Sequence, residues 1–150
     1  MSSATLAQDL TKLNSITKQR LITMDIKDLY INIPITKTTD ITTTQLLKHN
    51  ESEITTQICK LLETILQQNY FIFHEQIYQL DKGIAMGLPI SGTIAEIFLQ
   101  HLEHIHFKPF IEFKQILFYT RYIDDILIYD TESTDQDYLI QHANSRHANL

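Results

Sequence analysis

Apolar and polar positions alternate with two different periods along this chain. Leu6, Leu10 and Leu13 recur at helical spacing, and a polar, basic connector follows them. LITMDI, residues 21–26, predicts a short apolar strand interrupted by Asp25. KDLYINIPI, residues 27–35, leaves that strand through Tyr30 and ends at Pro34. Residues 36–50 are rich in Thr and predict a short helix of weak propensity, with KTTDITTT read as a solvated stretch. Asn50 and Glu53 then form a capping pair for a clearer helix. Its expected apolar face is Ile54, Ile58, Leu61, Leu62, Ile65 and Leu66. NYFIFHEQIYQL, residues 69–80, alternates as a hairpin turning at His74-Glu75-Gln76. Ile94, Ile97, Phe98, Leu102 and Ile105 line a helix that Ser91 or Thr93 can cap. After Pro109, FIEFKQ leads into FYTRYIDDILIYD, residues 118–130. There two β-rich runs, 118–123 and 126–129, flank Asp124-Asp125, a pair suited to a tight turn. The polar tail has room for one short helix, and neither an internal repeat nor an interdomain linker interrupts the order.

Length and composition narrow the class. A chain of 150 residues with 43% hydrophobic and 20% charged positions suits one domain with one core. No run of about 18 apolar residues occurs, which argues against a membrane span, and MSSATLAQDL lacks the pattern of a secretory signal. Cys59, the one cysteine, has no internal disulfide partner and is expected as a buried thiol in a reducing compartment. The net charge of −6 argues against a self-sufficient nucleic-acid binder, since phosphate neutralisation supplies much of such affinity. It leaves room for a catalytic core whose basic surfaces lie elsewhere.

Three features carry candidate chemistry. Asp25 sits inside a strand otherwise built for a core, which is costly unless the carboxylate is paired, binds a metal or faces solvent. Asp124 and Asp125 place like charges side by side; a solvated turn accommodates them, and a divalent cation removes the conflict. KGIAMGLPISG, residues 82–92, holds all three glycines of the chain and Pro89, which suits a ligand-facing loop better than a plain connector. His101, His104 and His106 lack the further ligands that a structural zinc site needs, and they read, with His142 and His147, as surface histidines.

Nucleotidyl transfer joins these features. Its transition state spreads negative charge over phosphate oxygens, so positioning and electrostatics dominate. Two Mg²⁺ ions roughly 4 Å apart can activate a 3′-hydroxyl and stabilise the leaving pyrophosphate. Such hard cations take carboxylate ligands, best held on stiff strands. MDIKDLYINIP resembles motif A of reverse transcriptases, KGIAMGLPISGTIAEIFL resembles motif B, and RYIDDILIY resembles motif C. DLYINIP, NYFIFHEQIYQ and the AMG form of motif B resemble the Penelope-like retroelement class most. The resemblance spans residues 20–130, with motif A at about 21–35, motif B at about 82–99 and motif C at about 118–130.

The resemblance implies an α+β fold, the palm core of a right-hand polymerase, with an antiparallel sheet and helices packed on one face. It implies that Asp25, Asp124 and Asp125 are catalytic metal ligands for two Mg²⁺ ions, with Mn²⁺ as an alternative. Tyr30 falls at the steric gate that favours deoxynucleotides, though a core aromatic fits the same position. Gly83, Met86, Gly87 and Pro89 match the loop against nucleotide and template, with Ala85 and Ser91 as secondary candidates. Tyr122 matches a residue near the primer end. The implied partners are an RNA or DNA template with its primer and deoxynucleoside triphosphates, in an intracellular, including nuclear, setting with no membrane. Lys82 stands where Gln is common, and Ser91-Gly92 replaces the usual pair after the proline. Basic fingers motifs and a thumb are missing, so the expectation is a partial reverse transcriptase domain, inactive by itself. Two alternatives stay open: a non-catalytic truncated remnant acting as a binding or structural module, and an RNA-templated RNA polymerase, which Tyr30 and YIDD disfavour.

Overall fold

The computed structural model describes residues 3–12, 18–49, 52–114, 116–131 and 135–147. In chain order the elements are α1 (Ser3–Thr11), β1 (Gln19–Asp25), the single turn α2 (Leu29–Asn32), α3 (Ile35–His49) and α4 (Glu53–Gln67). The hairpin β2 (Tyr70–Phe73) and β3 (Gln76–Gln79) and the helix α5 (Ser91–Leu102) follow. A π-helical turn (Glu103–Phe107), α6 (Lys108–Lys114), β4 (Phe118–Tyr122), β5 (Asp125–Thr131) and α7 (Gln136–His147) complete the order. The mixed α+β architecture with antiparallel sheets is the one expected. Leu13 and Asn50 lie outside the described residues, and with them part of the first helical pattern and the anticipated cap. The cap of α4 is Ser52, whose hydroxyl accepts a hydrogen bond from Thr55 N at 3.1 Å.

The chain divides into two units, residues 1–27 with 106–149, and residues 28–105. In the first, β1, β5 and β4 form an antiparallel sheet in that order. Period-2 alternation selects its core face. Ile22, Ile126 and Ile128 are buried with Phe110 of α6, Ile116 and Leu139 of α7, and Met24, Ile111 and Tyr119 pack around them. Helices thus cover one face. The other face carries Leu21, Thr23, Asp25 and Asp125, all exposed. Asp135 Oδ1 accepts from Asp137 N at 3.0 Å at the start of α7, a helix longer than the tail suggested.

In the second unit α3 packs against α4 and α5, and α2 against α5. The Thr-rich stretch is not solvated: Thr38, Thr39 and Thr42 are buried. Their hydroxyls donate to the carbonyl oxygens of Pro34, Ile35 and Thr38 at 2.8–2.9 Å, so no donor is stranded when the methyl groups are buried. This local satisfaction lets a sequence of weak propensity run as a 15-residue helix. The apolar face expected of α4 is split. Thr55, Cys59 and Leu66 are buried, whereas Ile54, Ile58 and Leu61 are exposed. The hairpin β2–β3 turns on His74 and Glu75, both at positive φ (48° and 62°), as a two-residue connection with both central residues left-handed requires. All eight of its strand residues are exposed, so the alternation there does not mark one buried face.

Pro109 does not end the helical run. Its ring lacks an N–H and would crowd the carbonyl of Ile105 in a regular α-helix. The widened π-helical turn over Glu103–Phe107 precedes it, and α6 continues through it. Ser91 likewise does not cap α5: its hydroxyl donates to Ala85 O at 2.6 Å and ties the glycine loop to the helix start.

Candidate active site

Residues of three strands meet in one row. β1 and β5 pair antiparallel with Asp25 opposite Asp125, and β4 and β5 pair with Tyr122 opposite Asp125. Beyond the first pair, Ile26 N donates to Asp124 O at 3.0 Å. That bond links the residue after Asp25 to the residue before Asp125, which makes Asp25–Asp125 a non-hydrogen-bonded pair. In such pairs the α-carbons approach to about 4.5 Å and the side chains are closest. Asp25, Asp125 and Tyr122 therefore share the face opposite the core, and all three are exposed. Asp124 sits in the turn, half-buried, with its carbonyl fixed to β1.

The turn itself differs from expectation. It consists of Ile123 and Asp124, not Asp124 and Asp125, and Asp125 is the first residue of β5. The unusual backbone belongs to Ile123, at φ 57°, a conformation that a β-branched residue rarely adopts. Arg121 Nη1 donates to Ile123 O at 2.8 Å and braces the turn.

Among the described residues, no three His, Cys, Asp or Glu side chains are gathered tightly enough to hold a metal ion as they stand. The donor set nevertheless fits a hard divalent cation. It offers only carboxylate oxygens, on backbones already adjacent through register and the Ile26–Asp124 bond. Register puts Asp25 and Asp125 on one face, while Asp124 stands opposite Ile26 in the turn.

The remaining candidates fall in the other unit. Tyr30 is half-buried on α2, just after Asp28, which turns the chain at φ 54°. Gly83 is buried at φ 75°, and a Cβ there would meet the Tyr30 carbonyl oxygen and the Ile31 backbone. Ile84 N donates to Tyr30 O at 2.9 Å. The close approach that this glycine allows is thus to its own chain. Met86, Gly87 and Pro89 are exposed, and Gly87 lies at φ 97° with open space where a Cβ would stand. Lys82 Nζ donates to Asn32 Oδ1 at 3.3 Å, a further tie to α2.

Two features escaped the sequence reading. Asn69 is buried and its Nδ2 donates to Gly83 O at 2.8 Å, a second tie on the loop beside the Ile84–Tyr30 bond. No pattern in the sequence distinguishes this Asn from a turn residue. Asp130 is fully buried, its Oδ2 4.0 Å from Arg20 Nη2, and Arg20 stands opposite it in the register. Here a signal existed: counting by twos from Ile126 and Ile128 puts Asp130 on the core face.

A three-stranded antiparallel sheet thus has helices on one face and carboxylates at its hairpin end. The chain belongs to the reverse transcriptase family: it matches the reverse transcriptase (RNA-dependent DNA polymerase) domain over residues 2–149. The fold is similar to that of apo telomerase from Candida tropicalis truncated from its C-terminal domain. That match has a TM-score of 0.70 and 15% identity, and covers 97% of this chain and 31% of that one. It is also similar to telomerase from Candida albicans in complex with a fragment of telomeric RNA, with a TM-score of 0.66 and 16% identity, over 99% of this chain and 28% of that one. The chain thus spans about a third of the telomerases it matches. No curated protein matches it significantly.

Proposed function

We propose that the chain is the catalytic core of an RNA-directed DNA polymerase of a retroelement, with Asp25, Asp124 and Asp125 as its divalent metal ligands. The observation that carries this reading is the register that sets Asp25 against Asp125 and fastens Asp124 to β1. When bound, Mg²⁺ or Mn²⁺ supplies activation of a primer 3′-hydroxyl and charge neutralisation at the leaving pyrophosphate. The chain's own residues supply placement. Stiff paired strands hold the carboxylates, and exposed Tyr122 in the same row offers a ring beside the primer end.

Tyr30 acts in this reading as the gate against a 2′-hydroxyl, favouring deoxynucleoside triphosphates. Gly83 serves that gate indirectly, by letting the loop seat against the Tyr30–Ile31 backbone. Met86, Gly87 and Pro89, exposed on the same loop, are the positions offered to nucleotide and template. The wording of DLYINIP, NYFIFHEQIYQ and IAMG supports a Penelope-like origin, acting inside the cell on an RNA or DNA template. The chain is proposed to need further fingers and thumb segments for processive synthesis.

Titration calorimetry with Mn²⁺ tests the site: binding is expected for the wild type and lost in the Asp25→Asn, Asp124→Asn, Asp125→Asn variant. Binding that ignores these substitutions, or none at all, supports instead a non-catalytic remnant, the reading that the ungathered carboxylates favour. Primer extension on an RNA template with Mg²⁺ tests self-sufficiency, and processive synthesis by the chain alone would overturn the need for further segments.

A further inference from the structure

Within the unit of residues 28–105, a cleft of about 640 Å³ lies between α3 and α5. Lys37 and Lys48 of α3, His101 of α5 and His104 of the π-helical turn line it, with Asp40 as the one acidic lining residue. This reverses the sign of a chain whose net charge is −6. The basic groups crowd one another. His101 is held below the usual histidine range by burial first, then by the positive charges of Lys37 and His104. Among the described residues, no salt bridge neutralises Lys37 or Lys48. Ile41, Thr44 and Gln45 form the floor between the two lysines.

We propose that this cleft binds the phosphate backbone of a nucleic-acid strand through residues other than the three aspartates. The spacing selects a polyanion over a single phosphate. Lys37 and Lys48 are eleven residues apart on one helix, which at 1.5 Å per residue sets them about 16 Å apart. One mononucleotide cannot engage both ends, whereas successive phosphates of a strand can. Ring N–H groups of the histidines at the opposite wall donate hydrogen bonds to phosphate oxygens. The contacts are to backbone only, so binding carries no base preference.

The test is fluorescence anisotropy of a labelled single-stranded oligonucleotide with the whole chain in EDTA, which removes any bridging metal. The expected result is binding that weakens with salt, with the logarithmic slope reduced by about 1.4 in Lys37→Glu, Lys48→Glu, from about 0.7 for each lost phosphate contact. Affinity in that variant is expected to fall at least tenfold, while the charge-matched Lys12→Glu, Lys60→Glu variant binds as the wild type. Inorganic phosphate at equal phosphate concentration should not displace the strand; if it does, the site takes single anions and the polyanion assignment fails. Unchanged affinity in the lysine variant overturns the proposal, as does the absence of any binding. Should that variant fail to fold, acetylation footprinting of the wild type replaces it. Protection of Lys37 and Lys48 by the strand, relative to Lys12 and Lys60, is expected, and equal labelling of all four overturns the site. An equal loss of binding in the Lys12→Glu, Lys60→Glu variant overturns the site, because net charge and not the cleft then carries it.

Discussion

Asp25 and Asp125 face each other across adjacent antiparallel strands as a non-hydrogen-bonded pair, with Ile26 N bonded to Asp124 O just beyond them. Like charges directly opposite each other destabilise a sheet. Without divalent ions, Asp25→Asn should therefore raise the melting temperature slightly. With millimolar Mn²⁺ the wild type should gain stability and the variant should not, because only an ion bound to the native state shifts the equilibrium. Paired thermal melts with and without chelator read both effects.

Ile123 at φ 57° stores strain in the turn that carries Asp124. Its side chain is exposed, so little burial is at stake. Ile123→Asn, a residue that tolerates the left-handed region, should stabilise the chain by about 1 kcal/mol in urea unfolding. Ile123→Val, also β-branched, should leave the midpoint unchanged.

The three glycines of residues 83–92 should respond in graded order. Gly83→Ala meets the Tyr30–Ile31 backbone at a positive φ and should cost more than about 2 kcal/mol. Gly87→Ala has room but the wrong φ, and should cost about 1 kcal/mol. Gly92→Ala stands in the first turn of α5 with open space around it and should gain up to about 1 kcal/mol. Denaturant midpoints of the three variants check the order.

Half-buried Arg20 and fully buried Asp130 form a pair without a hydrogen bond between them; both Asp130 oxygens lack a hydrogen-bond partner among the described residues. Removing one partner strands the other charge. Arg20→Ala should cost about 3–5 kcal/mol, whereas Arg20→Leu with Asp130→Leu should be close to neutral. A double-mutant cycle in urea separates the two cases.

His101 titrates below its ordinary value because of burial and the neighbouring Lys37 and His104, with Asp40 and Lys48 facing the same cleft. The unfolded chain therefore takes up a proton at this position before the native state does, so native stability falls as pH drops through the unfolded value of about 6.5. His101→Gln should flatten that part of the stability profile between pH 7.5 and 5.5. Lys37→Ala should move the His101 midpoint upward in an NMR titration.

Sequence alone determined the α+β class, the β1, β4 and β5 strands within a residue or two, and the acidic positions, because these follow from periodicity and from where a charge interrupts it. MDIKDLY and RYIDDILIY carried the family without any coordinates. Tertiary structure decided what local pattern cannot encode. Register placed Asp25 against Asp125 across 99 intervening residues, and sheet pairing moved the turn back to Ile123. Packing against α4 and α5 kept α3 helical, with Thr38 and Thr42 buried through bonds to their own backbone. Gly83 read as a residue freed for a ligand, and its neighbour is the Tyr30–Ile31 backbone. The division has one physical reason. Propensity and alternation act over a few residues, whereas register, close backbone approach and the pairing of buried charges depend on which distant segments the chain brings together.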